Sequence, residues 1–99
     1  MPTRIRTHPG EVLREEFMKP LGLSANKLAT ELRVPATRIG DIIRDEKPRS
    51  VTADTALRLA RYLGTTAEFW MTLQINYDLS VAESRSRRDI ERGVLPRGA

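Results

Sequence analysis

The chain has no cysteine and a single histidine, His8. That excludes a disulfide framework, a thiolate metal site, a thiol nucleophile and any site needing two imidazoles. Aromatic residues are only 5% of the sequence. No apolar run approaches the roughly 20 residues needed to cross a bilayer. The opening Met1-Pro2-Thr3-Arg4-Ile5-Arg6 lacks the apolar stretch of a signal peptide, so a cytoplasmic location is expected. What is present is 99 residues, 39% hydrophobic and 30% charged. That suffices for one domain with a thin core, for which a partner or a second copy would be a help. The formal charge of +4 favours a polyanionic partner.

Glycine and proline cut the sequence into short blocks, none with the alternation of a strand. Pro9 suits the first turn of a helix, where its missing N–H has no partner to lose. Val12, Leu13, Phe17 and Met18 follow at helical spacing, and Lys19-Pro20-Leu21-Gly22 is expected to stop this first helix. Ser24 caps a second helix carrying Leu28, Ala29 and Leu32. Val34-Pro35 breaks it, because the residue before proline avoids the α region. A third helix over about Pro35 to Arg44 buries Ile39, Ile42 and Ile43. Thr52 caps a fourth, with Asp54 in its first turn and Ala56, Leu57, Leu59, Ala60 and Leu63 on its apolar side. Gly64 ends it. Thr65 or Thr66 caps a fifth helix bearing Phe69, Trp70, Leu73 and Tyr77. The expectation is an all-α, five-helix domain over residues 9–80, with an N-terminal extension at 1–8. A basic tail at 81–99 either extends the last helix or is mobile.

Ser24 to Arg44 carries the chemistry. Two short helices joined by a tight turn allow the second to lie in the DNA major groove. Ala29 is small enough for a close crossing. Val34 and Ile39 supply the aliphatics after the turn, and Ala36, Thr37, Gly40 and Asp41 keep the other side short and polar. A bundle with solvated charges would show the same spacing. Arg33 stands where such turns usually carry glycine. A left-handed backbone there costs about 1–2 kcal/mol, so either the turn differs or Arg33 returns something, such as a phosphate contact.

Four segments in order then resemble the HigA/VapI-type antitoxins of the Xre, lambda-repressor-like, helix-turn-helix class. They are Thr7-His8-Pro9-Gly10-Glu11, Leu32 to Ile39, Thr52 to Ala60, and Glu68-Phe69-Trp70-Met71-Thr72-Leu73-Gln74. The resemblance covers roughly residues 7–82. It implies a dimeric repressor that binds double-stranded operator DNA and neutralises a HigB/RelE-like mRNA-cleaving toxin. It places DNA reading at Pro35, Ala36, Thr37, Arg38 and Asp41, and core packing with dimer support at the Phe69-Trp70 helix.

Phosphate contacts are expected from Ser24, Asn26 and Lys27 at a helix start, which attracts anions, and from Arg44, Lys47 and Arg49. Each alone is equally an ordinary solvated charge. Base reading falls to Thr37, Arg38 and Asp41, since arginine pairs with guanine, aspartate accepts from cytosine and threonine meets the thymine methyl. Asp41 would equally serve to orient Arg38 or Arg44. Phe69, Trp70, Leu73 and Tyr77 read as core or dimer interface rather than a ligand platform. His8 reads as a cap or packing residue, not a metal ligand. Glu15 and Glu16 point about 100° apart on a helix, an exposed face rather than a catalytic pair. Arg85-Ser86-Arg87-Arg88 would touch DNA, bind a partner or stay free. No cofactor, metal or catalytic role is expected. The rivals are a stand-alone regulator without a toxin and a small hydrolase or nuclease, for which no nucleophile–base pair is present.

Overall fold

The computed structural model describes residues 4–98. Met1, Pro2 and Thr3 of the expected N-terminal extension, and Ala99 of the tail, lie outside the described residues. Those described form five helices and no strand.

Helix α1 is one rod built from Pro9–Val12, Leu13–Met18 and Lys19–Leu21 in unbroken succession. His8 caps it: its Nδ1 accepts the Gly10 N–H at 2.9 Å. The middle stretch is a π-helix, in which the Lys19 N–H reaches back to the Arg14 carbonyl. Pro20 does not stop the helix, as the sequence suggested. The wider π turn sets Pro20 at the head of a fresh segment, where a missing N–H costs little. The stop is Gly22, whose φ of 65° places it in the left-handed region.

Helix α2 spans Ala25–Leu32 and α3 spans Ala36–Ile43. Helix α4 covers Ala53–Leu63. Thr52 stands at its N-cap position, but its side chain accepts no backbone N–H of the first turn; its hydroxyl donates to Thr55 Oγ1 at 3.4 Å. Thr66 does cap α5, accepting the Phe69 N–H at 3.1 Å. Helix α5 runs from Ala67 to Gly93, so the basic segment extends the last helix.

The core gathers Leu13, Met18, Leu28, Ala29, Leu32, Ile39, Ile42, Val51, Ala56, Leu59 and Trp70. Trp70 is 0% exposed and donates its indole N–H to Thr65 Oγ1 at 2.7 Å. Phe17 and Phe69 meet its ring with centroids 5.3 and 5.0 Å away. Burying the indole while satisfying its N–H is what lets tryptophan sit fully inside. Gln74 is buried beside it. Its Oε1 accepts the Val51 N–H at 2.7 Å and its Nε2 donates to Asp78 at 2.9 Å. One side chain therefore ties the segment before α4 to α5.

Candidate nucleic-acid interface

The α2–α3 pair is closed by a tight turn. Arg33 adopts φ 59° and ψ 48°, so the turn is the left-handed one and the strain is real. The Val34 N–H reaches the Ala29 carbonyl at 3.0 Å, capping α2. Ala29 is 2% exposed, and a larger side chain would push the helices apart. Ile39 and Ile42 pin α3 inward.

That leaves the opposite side of α3 outward. Pro35, Ala36 and Thr37 are exposed, and Gly40 and Asp41 are half-buried. On an α-helix Thr37, Gly40, Asp41 and Arg44 share one side. Arg44 lies 3.4 Å from Asp41 and donates from Nε to the Lys47 carbonyl at 3.0 Å. The Arg49 N–H bonds the Asp41 carbonyl at 2.9 Å. Arg44, Lys47 and Arg49 are thus gathered beside the end of α3, and all three are exposed. Asp41 orients Arg44 and not Arg38.

Arg38 stands at the margin of this face. Its Nη1 donates to Asp54 Oδ2 at 2.8 Å. The same oxygen accepts from Arg58 Nε at 2.9 Å. Arg58 Nη1 in turn reaches the Leu32 carbonyl at 2.8 Å and the Arg33 carbonyl at 3.5 Å. The Arg58 and Arg38 guanidinium groups hold the Asp54 carboxyl below the usual carboxylate range.

Ser24, Asn26 and Lys27 stand together, exposed, at the start of α2. Ser24 Oγ is occupied by the Lys27 N–H at 3.0 Å. Lys27 Nζ pairs with Glu31 at 2.8 Å, which raises its pKa. Glu15 and Glu16 are exposed on α1, and Lys19 and then Arg14 hold the Glu15 carboxyl below its ordinary value.

The aromatic group is placed mainly in this chain's own core. Trp70 is central, while Leu73 and Tyr77 are half-buried and Phe69 is 39% exposed. Tyr77 lies edge-on to His8 with centroids 4.8 Å apart. His8 is the cap that the sequence suggested. Burial lowers its pKa, partly opposed by the Asp78 charge. Among the described residues no group of acidic, histidine or cysteine side chains is arranged to hold a metal. No helix among them is long and apolar enough to cross a membrane.

Sequence reasoning missed Arg58, Gln74 and the close approach at Gly10, where an added Cβ would meet the Ile42 carbonyl. The i,i+4 spacing of Asp54 and Arg58 hinted at a pair, but nothing local pointed to the turn carbonyls.

A helix-turn-helix family pattern matches residues 15–70. The chain is 55% identical over 76 residues to virulence-associated protein I of Dichelobacter nodosus, covering 77% of this chain and 68% of that protein. To antitoxin HigA-1 of Vibrio cholerae it is 32% identical over 80 residues, 81% of this chain and 73% of the relative. The solved structure of Pseudomonas aeruginosa antitoxin HigA with the higBA promoter superposes with a TM-score of 0.87 at 41% identity, covering 95% of this chain and 99% of that one. With the left-handed turn, the inward isoleucines and the short outward side of α3, these likenesses show that the chain belongs to the Xre-type helix-turn-helix family, in the branch that holds HigA and VapI.

Proposed function

We propose that the chain is the antitoxin of a type II toxin–antitoxin pair, working in the cytoplasm as a homodimer. It represses its own operon by binding operator DNA and neutralises a HigB/RelE-like mRNA-cleaving toxin. The observation that carries the DNA half is the outward side of α3. Ala36, Thr37, Gly40 and Asp41 are short and polar enough to enter a major groove, with Arg44, Lys47 and Arg49 at its edge. Thr37, Arg38 and Asp41 read base edges and Pro35 opens the helix into the groove. Ser24, Asn26 and Lys27 meet the backbone on the other flank, where a helix start favours phosphate. The toxin half rests on the likeness to HigA proteins.

Dimerisation is supported by α5. Thr72, Ile75, Leu79 and Ala82 recur three and four residues apart on one line, the spacing of a helix–helix seam. They point away from the core, with Ile75 and Leu79 51% and 60% exposed. Two copies related by a two-fold axis present their α3 helices to half-sites about 34–36 Å apart.

The test is co-expression with the neighbouring open reading frames, followed by binding of the purified chain to the upstream DNA. Co-purification of a small ribonuclease-like protein, with DNA binding by the chain, is the expected result. DNA binding with no captured partner makes the chain a stand-alone regulator. Failure to bind any duplex at low salt removes the DNA reading.

A further inference from the structure

Asp54 lies on α4, outside the two helices of the motif, yet it touches the recognition helix directly. Its carboxylate is 58% exposed and close to a surface that must approach phosphate. A negative charge there opposes a polyanion. Simple charge economy would favour a neutral residue.

The geometry offers a reason for the carboxylate. One oxygen, Oδ2, receives Arg38 Nη1 at 2.8 Å and Arg58 Nε at 2.9 Å. Arg58 then spends Nη1 on the Leu32 and Arg33 carbonyls. These are the last carbonyl of α2 and the carbonyl of the strained turn residue. The chain of contacts therefore runs from α3 through Asp54 and Arg58 to the turn that sets the angle of α3. The Arg38 side chain is 27% exposed, partly withdrawn rather than free in solvent. A free arginine loses rotamer freedom when it is fixed on DNA, whereas one already fixed has lost it beforehand.

We propose that Asp54 is a positioning residue for DNA recognition. Its Oδ2 holds Arg38 in a reading pose and, through Arg58, braces the left-handed turn on which α3 stands. The inference rests on the DNA-binding reading above. It has a signature that charge alone cannot produce. Removing the carboxylate should weaken binding to the preferred sequence while binding to arbitrary sequence stays level or tightens.

The experiment uses the full chain and two duplexes, one enriched from a random pool by the wild-type protein and one of scrambled sequence. Asp54→Asn keeps the shape and removes the charge. We expect about three- to tenfold weaker binding to the enriched duplex, the scale of re-ordering one arginine, and unchanged or tighter binding to the scrambled one. Asp54→Glu should recover part of the loss. Parallel tightening on both duplexes would overturn the inference, leaving Asp54 as a mere repulsive charge. Parallel weakening with a lowered melting temperature would also overturn it, making the network structural only. A wild-type chain that enriches no sequence overturns the DNA reading beneath it, a failure readily told apart from the others.

Discussion

Arg33 shows how much one residue can conceal. Its left-handed backbone was half legible, because Arg33 stands where such turns usually carry glycine, which left open a different turn. The compensation was not legible. Arg58 supplies it from 25 residues away, and no local pattern announces a donor at that distance. His8 is the converse case. One imidazole nitrogen caps α1, and Nε2 is buried with no hydrogen-bond partner among the described residues. Since Nδ1 accepts, the proton of the neutral ring sits on Nε2. A second proton would fall on Nδ1 and face the Gly10 N–H, breaking the cap. With the folded pKa below the ordinary 6.5, the unfolded chain takes up protons first as pH falls. Stability from this group is therefore full above pH 6.5, lost as pH drops through the lower folded value, and level below it. Denaturant titrations across pH 7 to 4 should show that acid flank, and His8→Asn, which can still cap, should flatten it. An equal slope in both proteins would assign the loss to other groups.

Among the elements, α1 departs most from its expected form. Pro20 looked like a terminator because proline normally ends a helix, and no residue type signals the π turn that accommodates it. Gly10 looked like part of a helix start. Its role is a close approach: a Cβ there would lie 1.9 Å from the Ile42 carbonyl oxygen at the end of α3. Two effects oppose each other in Gly10→Ala. Helix propensity favours alanine by about 1 kcal/mol. Forcing a methyl against backbone costs about 1–3 kcal/mol or more, and backbone cannot swing aside as a flexible side chain does. The clash wins, so the variant should melt about 4–8 °C lower for each net kcal/mol lost. A thermal melt matching wild type would show that α1 slides away from α3 without penalty. The core, by contrast, was largely readable. Leu28, Ala29, Leu32 and Ile39 are buried as their spacing implied, because helical periodicity is a local property. The helical state of the basic segment was not, since its apolar period fades after Leu79 while its helix continues.

On the scale of the whole molecule, the chain is elongated, 53 × 24 × 21 Å, because α5 outruns the domain. Its outward line of Thr72, Ile75, Leu79 and Ala82 gives the proposed dimer a concrete test. Ile75→Glu with Leu79→Glu places like charges across a two-fold seam and should yield a monomer by light scattering. Operator affinity should fall far more than the affinity of one half-site. A double variant that remains a dimer would move the seam elsewhere. Trp70 in the same experiment serves as a control for the intact core, since it lies on the opposite side of the helix.

Past Ser80, α5 buries no further residue. Exposed ion pairs such as Arg87 with Glu91 at 3.0 Å lie along its outer turns, and pairs of that kind contribute little. A helical overhang of thirteen residues with no buried side chain is near the limit of what stays helical in water. The sole tryptophan, meanwhile, sees only the interior. Warming should therefore unravel the overhang gradually while the indole emission stays put. Circular dichroism and fluorescence would then report two separate meltings from one small chain.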